Sequence, residues 1–437
     1  MHWPKKNNMQ FICDFHIHSK YSRATAKDAD IENFAKWARI KGVDVLGAGD
    51  FTHPQWFKEL KEKLEPAEEG LFKLKSETPA RQASQLAGVA GGRFILTTEI
   101  SSIYSKGNKT RKIHNIIFAP SFDVVEKINT HLGWIGNLKS DGRPILGLDA
   151  KELAKIVLGI SADCMIIPAH AWTPWFSIFG SNSGFDSIEE CFEEYTKDIF
   201  AIETGLSSDP EMNWRWSKLD SITLISNSDA HSPSKIGREA NIFAGDKISY
   251  NLIRDAIKRE GELKLIKTIE FFPEEGKYHW DGHRNCEIVL SPEESLKYNN
   301  LCPTCGRPLT IGVMNRVCRL ADRKQGERPI NAIPFERLIP LEEIIADVLD
   351  VGTATKAVQE HYKNLIRVFG NEFKILREIR KSDIASASTP EIAEGIERVR
   401  QGKISIRPGY DGEYGKISIF GDGEERPKTK GEQATLF

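Results

Sequence analysis

The stretch Phe11-Ile12-Cys13-Asp14-Phe15-His16-Ile17-His18-Ser19 is an apolar run broken by two histidines one residue apart. In an extended strand residues i and i+2 point to the same side, so His16 and His18 can face one cation together. Taken alone, such a pair is half a metal site and fits a surface or core histidine equally well. Its weight comes from what recurs downstream.

Residues 1 to about 270 alternate short apolar segments with helical stretches, which predicts α/β architecture built from parallel β/α units. Strands are expected at 11–18, 43–48, 94–99, 114–119, 165–170, 200–203 and 222–226. A helix is expected at 31–41, with Asp30 as its N-cap and Gly42 just past its end. Metal-capable side chains recur at or just after the strand ends: His16 and His18, Asp50 and His53, Glu99, His170, Glu203, then Asp229 and His231. His114 falls at a strand start. In a β/α barrel the C-terminal strand ends converge on one face, so these residues predict one crowded pocket. Two insertions, 58–91 and 122–163, interrupt the pattern. The first reads as an irregular excursion; the second carries a polar loop, 136–143, that either lines a substrate groove or is a solvated turn, and a helix after it at 150–158.

Composition narrows the function classes. The chain has 437 residues, 40% hydrophobic and 28% charged, with a formal net charge of -2. That excludes a wholly basic nucleic-acid coat but permits local patches. No apolar run reaches the roughly 18 residues of a membrane span, and residues 1–9 do not read as a signal peptide, so a cytoplasmic, nucleoid-associated protein is expected. Of seven cysteines, Cys286, Cys302 and Cys305 cluster, which points to a metal site rather than disulfides.

That cluster opens a different region, expected at 269–325. Cys302-Pro303-Thr304-Cys305-Gly306 has the composition of a zinc knuckle, and with Cys286 it needs one more ligand. His283 is the simplest choice and His279 the alternative. A closed four-ligand site of this kind is structural. Residues 326–420 are expected to be helical, at 341–349, 355–368 and 372–379, ending in a β-hairpin at 404–420. Residues 421–437 read as a mobile charged tail.

The motifs resemble those of the polymerase and histidinol phosphatase (PHP) superfamily of metal-dependent phosphoesterases. They are Asp14-Phe15-His16-Ile17-His18-Ser19, Thr98-Glu99, Pro168-Ala169-His170 and Asn227-Ser228-Asp229-Ala230-His231-Ser232. Gly49-Asp50-Phe51-Thr52-His53-Pro54, His170-Ala171-Trp172-Thr173-Pro174-Trp175 and the appended Asp281-Gly282-His283-Arg284-Asn285-Cys286 resemble the endonuclease Q family of DNA repair in particular. The resemblance implies a distorted seven-strand barrel over residues 1–268 holding two or three divalent ions, zinc, manganese or magnesium, beside the one structural zinc. It implies that His16, His18, Glu99 and Asp229 hold one ion, that Glu99 bridges to a second held by His114 and His170, and that a third uses His231 with Asp50 or His53. Catalysis would then rest on His16, His18, Glu99, Asp229 and His231. Many relatives have Ser-Asp shortly after the His-x-His, where this chain has Ser22-Arg23; Arg23 can meet a phosphate through its bidentate fork instead.

The implied activity is nicking of DNA on the 5′ side of deaminated bases such as hypoxanthine, uracil and xanthine. A flipped-out base needs stacking faces. Trp56, Trp172 and Trp175 lie close to the histidines in sequence; base stacking and rim packing are both open readings, and Trp172 and Trp175 are the candidates for DNA contact. Residues 301–330 carry Arg307, Arg316, Arg319, Arg323, Lys324 and Arg328 against Asp322 and Glu327, and Arg316 and Arg319 head the candidates for phosphate contacts. A small-molecule phosphatase and a non-catalytic DNA-binding scaffold are the competing classes. Finally, Gln433-Ala434-Thr435-Leu436-Phe437 resembles a peptide that docks on a replication sliding clamp, through Gln433, Leu436 and Phe437.

Overall fold

All seven expected strands form in the computed structural model, which describes residues 9–75, 92–421 and 424. They are Met9–Asp14, Val45–Gly47, Arg93–Lys106, Lys109–Ala119, Met165–Pro168, Ala201–Glu203 and Thr223–Ile225. Met9–Asp14 is central. It pairs in parallel with Val45–Gly47 and antiparallel with Ala240–Gly245. Val45–Gly47 in turn pairs in parallel with Arg93–Lys106.

The expected all-parallel order fails at the next strand. Arg93–Lys106 and Lys109–Ala119 form one long antiparallel hairpin, with Glu99 opposite Ile116 and Ser101 opposite His114. Its turn is Gly107-Asn108, both at positive φ (61° and 56°), the two-residue geometry that matches strand twist. A parallel return would need a crossover of about a dozen residues. Two residues leave only the antiparallel option. Glu99 therefore lies in mid-strand rather than at a strand end.

Lys109–Ala119 continues antiparallel to Met165–Pro168, while Ala201–Glu203 and Thr223–Ile225 form a separate parallel pair. The ladders thus give an 11-stranded mixed sheet and a two-stranded one. Among the described residues no ladder closes them into a barrel. Isolated backbone bonds bridge the gaps: Ala171 N to Glu203 O at 2.9 Å, and His18 N to Ala230 O at 2.9 Å with Ala230 N to His16 O at 3.4 Å. The α/β class stands; seven parallel staves do not.

The helix Ile31–Lys41 forms with the expected caps. The Asp30 side chain accepts from Asn33 N at 2.9 Å, and Gly42 N donates to Ala38 O. The first insertion is more regular than expected: Pro54–Lys63 is a helix, and Leu64–Pro66 and Leu71–Leu74 extend the sheet edge as antiparallel strands. Residues 67–70, which include Glu68-Glu69-Gly70, make the turn between those strands. Residues 76–91 lie outside the described residues. The second insertion begins with the helix Phe122–Ile135, which buries Val125, Ile128 and Leu132 at helical spacing.

Beyond the cysteine cluster, Leu341–Leu349, Lys356–Phe369 and Glu372–Arg377 are helical as expected, joined by Lys381–Ala387 and Pro390–Arg400. The strand Phe335–Arg337 returns to the main sheet, parallel to Lys264–Glu270. A buried ion pair, Lys41 to Glu372 at 2.8 Å, fastens the helical region to Ile31–Lys41. The hairpin Ser405–Arg407 with Lys416–Ser418 also forms, and its loop reaches the cysteine region, where Trp280 N donates to Gly409 O at 3.0 Å. The clamp-like residues Gln433, Leu436 and Phe437 lie outside the described residues. No helix among those described is long and apolar enough to cross a membrane.

Candidate metal centre

Strand Met9–Asp14 ends just before the His-x-His, yet the chain stays extended, because Ile17 bridges to Ala230 in parallel. His16 and His18 therefore share a side, with ring centroids 5.2 Å apart. Their Nε2 atoms and the Asp229 Oδ1 atom lie within 4.8 Å of one another. All three atoms are buried and have no hydrogen-bond partner, although His18 Nε2 is 3.1 Å and His16 Nε2 3.6 Å from that oxygen. Three donors that meet at a point without bonding one another fit a divalent cation. Each histidine is also steered from behind. His16 Nδ1 faces both Glu203 oxygens at 3.1 Å, and His18 Nδ1 faces Asp50 Oδ1 at 3.0 Å. Carboxylate–histidine pairs of this kind fix ring orientation and raise ligand basicity.

A second set is Glu99, His114 and His170. Glu99 Oε1 is 2.7 Å from His114 Nδ1 and 3.0 Å from His170 Nε2. Its other oxygen, Oε2, looks the opposite way, 3.4 Å from His18 Nε2 and 3.7 Å from His16 Nε2. One carboxylate thus spans the two donor sets. Burial opposes ionisation of Glu99, but His114, Arg143 and His16 outweigh it and hold its pKa well below the usual carboxylate range. Asp50, His170 and Asp229 all adopt positive φ (47°, 30° and 48°). Such backbone outliers gather where the surrounding structure over-determines a site.

The second motif behaves otherwise. Asp50 is spent on protein partners: besides His18 it accepts from Ser19 N (2.6 Å), Ser19 Oγ (2.7 Å) and Ser22 Oγ (2.9 Å). It is corrected from metal ligand to the residue that orients His18. His53 stacks on Tyr21, ring centroids 4.4 Å apart, and His231 lies 4.6 Å from the His18 ring. Among the described residues none of these three joins a set of mutually close donors. His231 Nδ1 donates to the Asp229 carbonyl at 2.8 Å, which leaves Nε2 as its available nitrogen.

Two further residues complete the pocket: Glu203, one of the strand-end groups expected to converge there, and Arg143, which the sequence did not single out. Glu203 holds His16 and also accepts from His170 N at 2.8 Å and Asn227 Nδ2 at 2.9 Å. Arg143, from the polar loop of the second insertion, donates from NH1 to Glu99 Oε2 at 3.0 Å.

In the cysteine region the four side chains His283, Cys286, Cys302 and Cys305 converge, with ligand atoms within 4.8 Å. Desolvation raises the Cys302 thiol, but backbone N–H groups of Cys305 and Thr304 outweigh it and bring the thiol down to about 7. Cys286, beside it, is pushed up to about 11 by burial and by Cys305 and Cys302, so of the two Cys302 is the first to give the thiolate a zinc site requires. His279 is not in the set. It is buried, and burial, against the field of Asp209, lowers its pKa to about 4. An unfolded histidine titrates near ~6.5, so between these values the unfolded chain binds the extra proton. Stability from this group is then present above about pH 6.5 and is lost as pH falls toward 4, up to about 3 kcal/mol. His279→Gln should therefore flatten the fall in Tm from pH 7 to pH 5 relative to wild type. Parallel Tm curves for the two proteins would sink this.

Two expected DNA contacts are corrected. Trp172 is fully buried; its Nε1 donates to Asn213 Oδ1 at 2.7 Å and its ring packs on Phe179 and Trp216. Arg316 is buried too, donating to the carbonyls of Phe179 and Phe185 and to Asp186. It fastens the helix Val313–Leu320 to the loop after His170. Trp56 is likewise core, its Nε1 bonded to the Ala48 and Gly49 carbonyls. Trp175 remains 40% exposed beside Tyr278, Arg319 is exposed, and Arg23 reaches Asp141 at 3.3 Å from a largely solvated position.

The crystal structure of the lesion-specific endonuclease PfuEndoQ from Pyrococcus furiosus is similar over 94% of this chain and 96% of that one, at 34% identity and a TM-score of 0.82. The chain belongs to the endonuclease Q family. A second structure, endonuclease Q in complex with a 27-mer duplex substrate carrying an abasic lesion at the active site, is 33% identical with a TM-score of 0.81, covering 95% and 98% of the two chains. Among curated proteins, MJ0043 of Methanocaldococcus jannaschii is 38% identical over 257 residues, which are 57% of this chain and 31% of that protein. The chain thus spans under a third of that relative. YqxK of Bacillus subtilis is 28% identical over 386 residues, 86% of this chain and 89% of that one. Residues 340–403, the C-terminal helices of this endonuclease Q family member, match the family model of the MJ0043 C-terminal domain.

Proposed function

We propose that this chain is a metal-dependent endonuclease of DNA repair that nicks the strand 5′ to deaminated bases such as hypoxanthine, uracil and xanthine. The observation that carries this reading is the pair of buried donor sets spanned by Glu99, in a member of a family that includes a lesion-specific endonuclease. His16, His18 and Asp229 would hold one divalent ion and His114 and His170 a second, with Glu99 between them. Ions held there would supply Lewis acidity toward a phosphoryl oxygen and would acidify a bound water. The protein's share is positioning. Glu203 and Asp50 lock the ring planes of His16 and His18, and the backbone at Asp229 presents its carboxylate inward. His231 Nε2, beside His18, is available to handle a proton at the leaving oxygen. A third ion has no assembled donor set among the described residues. We further read the sheet and the two-stranded pair as staves of a distorted barrel around this pocket.

The test uses protein loaded with manganese or zinc and end-labelled duplexes carrying one deoxyinosine, deoxyuridine or deoxyxanthosine, beside undamaged DNA and a phosphomonoester. A single nick 5′ to the modified base is the expected result. Turnover of the monoester without nicking would overturn the proposal in favour of a small-molecule phosphatase.

A further inference from the structure

The loop that carries Arg143 is pinned on both sides of that residue. Gly142 N donates to Tyr21 O at 3.0 Å and Ser101 N to Pro144 O at 3.1 Å, while Thr52 Oγ1 donates to Gly142 O at 3.4 Å. Ile145 then pairs with Ser101 in the ladder. The approach at Gly142 is so close that a Cβ there would lie 2.3 Å from both Asp50 Oδ2 and Ser22 Oγ. The loop therefore lies flat against the carboxylate that orients His18. From this pinned backbone the Arg143 side chain projects inward to Glu99 Oε2, the oxygen on the His16 and His18 side.

Only one edge of its guanidinium is occupied. NH1 bonds Glu99, and among the described residues the other N–H groups have no protein partner, while the side chain stays 26% exposed. A planar fork with one edge anchored and the rest open suits recognition of an oxyanion. An arginine needed only to balance Glu99 would gain from more protein acceptors, as Arg316 has at Nε and NH2.

We infer that Arg143 binds a non-bridging oxygen of the phosphate being cut, with Glu99 as the anchor that aims it. The inference rests on the endonuclease reading above and names a substrate contact within it. Arg143→Gln keeps a donor for Glu99 but removes the cation; Arg143→Lys keeps the cation but not the fork.

The experiment compares wild type, Arg143→Gln and Arg143→Lys, all metal-loaded, on two lesion duplexes that differ only at the linkage 5′ to the lesion: a phosphate or an uncharged methylphosphonate. Binding is read by stopped-flow fluorescence before nicking. Arg143→Gln should bind the phosphate duplex about 10-fold more weakly and the methylphosphonate duplex as wild type does. Its nicking of the phosphate duplex should fall about 10²-fold with metal content unchanged, and Arg143→Lys should recover part of both. Loss of metal in step with activity, or equal weakening on the two duplexes, would overturn the inference. Failure of wild type to nick either duplex would instead count against the endonuclease reading, because the linkage-dependent binding difference is measured without turnover.

Discussion

Asp229→Asn should lower nicking by on the order of 10³-fold and weaken binding of one divalent ion, whereas Glu203→Gln should lower nicking only about 10- to 100-fold. The difference follows from where each carboxylate points. Asp229 Oδ1 has no hydrogen-bond partner and converges with His16 Nε2 and His18 Nε2, so its replacement by an amide removes a charged donor from the set itself. Glu203 lies behind the histidine. It faces His16 Nδ1 and accepts from His170 N, so its amide leaves the donor count intact and loosens ring orientation. Burial works against a charged His16, but Glu203, Asp229 and Glu99 outweigh it and raise its pKa well above the ordinary value. Both variants should keep the wild-type Tm to within a few degrees once metal is removed from all three proteins. Metal titration and single-turnover nicking separate the cases. Equal rate losses for the two variants would overturn the division between ligand and orienting residue.

What the sequence made legible follows from which physical facts are local. The His-x-His, the lone carboxylate Glu99 and the Asp229 loop could be read because ligand chemistry restricts residue type, and a strand's period of two restricts which neighbours share a face. The set His283, Cys286, Cys302 and Cys305 was legible for the same reason, since few residue types bind zinc and the knuckle brings two of them together. Arg143 was not. It is a common residue in a polar loop, and its place in the pocket depends on the packing of Gly142 against Asp50, 92 positions away in sequence. Trp172 and Arg316 were misread because closeness in sequence to His170, or to other basic residues, does not say which way a side chain points. Their partners Asn213 and Asp186 come from elsewhere in the chain. The antiparallel hairpin was different: Gly107-Asn108 is a local turn signal, and its significance was there to be read.

Cys302→Ser is expected to abolish zinc uptake by the four-residue set and unfold residues around 281–310 while leaving the main sheet folded. Besides the Gly282–Thr310 bridge and the Asp411 contacts to Arg284 N and Thr310 Oγ1, the cysteine region has little regular structure. Its own ladder is a two-stranded antiparallel pair, Asp281–His283 with Ile288–Leu290, and all three residues of the second strand are only partly buried. An isolated hairpin of this kind is marginal in water. Zinc binding to such a site contributes roughly 10–16 kcal/mol of apparent free energy near pH 7, far more than a few half-buried side chains supply. Loss of one thiolate should thus be read locally: amide-exchange protection falls in the hairpin and knuckle but persists in Met9–Asp14 and Arg93–Lys106. The helix Val313–Leu320 should survive longer, because Arg316 anchors it to the Phe179 and Phe185 carbonyls. Acid should act on wild type in the same direction. Each cysteine must shed its proton to bind the ion, and with Cys302 brought down to about 7, a chelator should strip the site faster at pH 5.5 than at pH 7.5. Retention of one chelator-resistant zinc by Cys302→Ser, with the hairpin still protected, would show that His283, Cys286 and Cys305 suffice and that the closed four-ligand site is wrong.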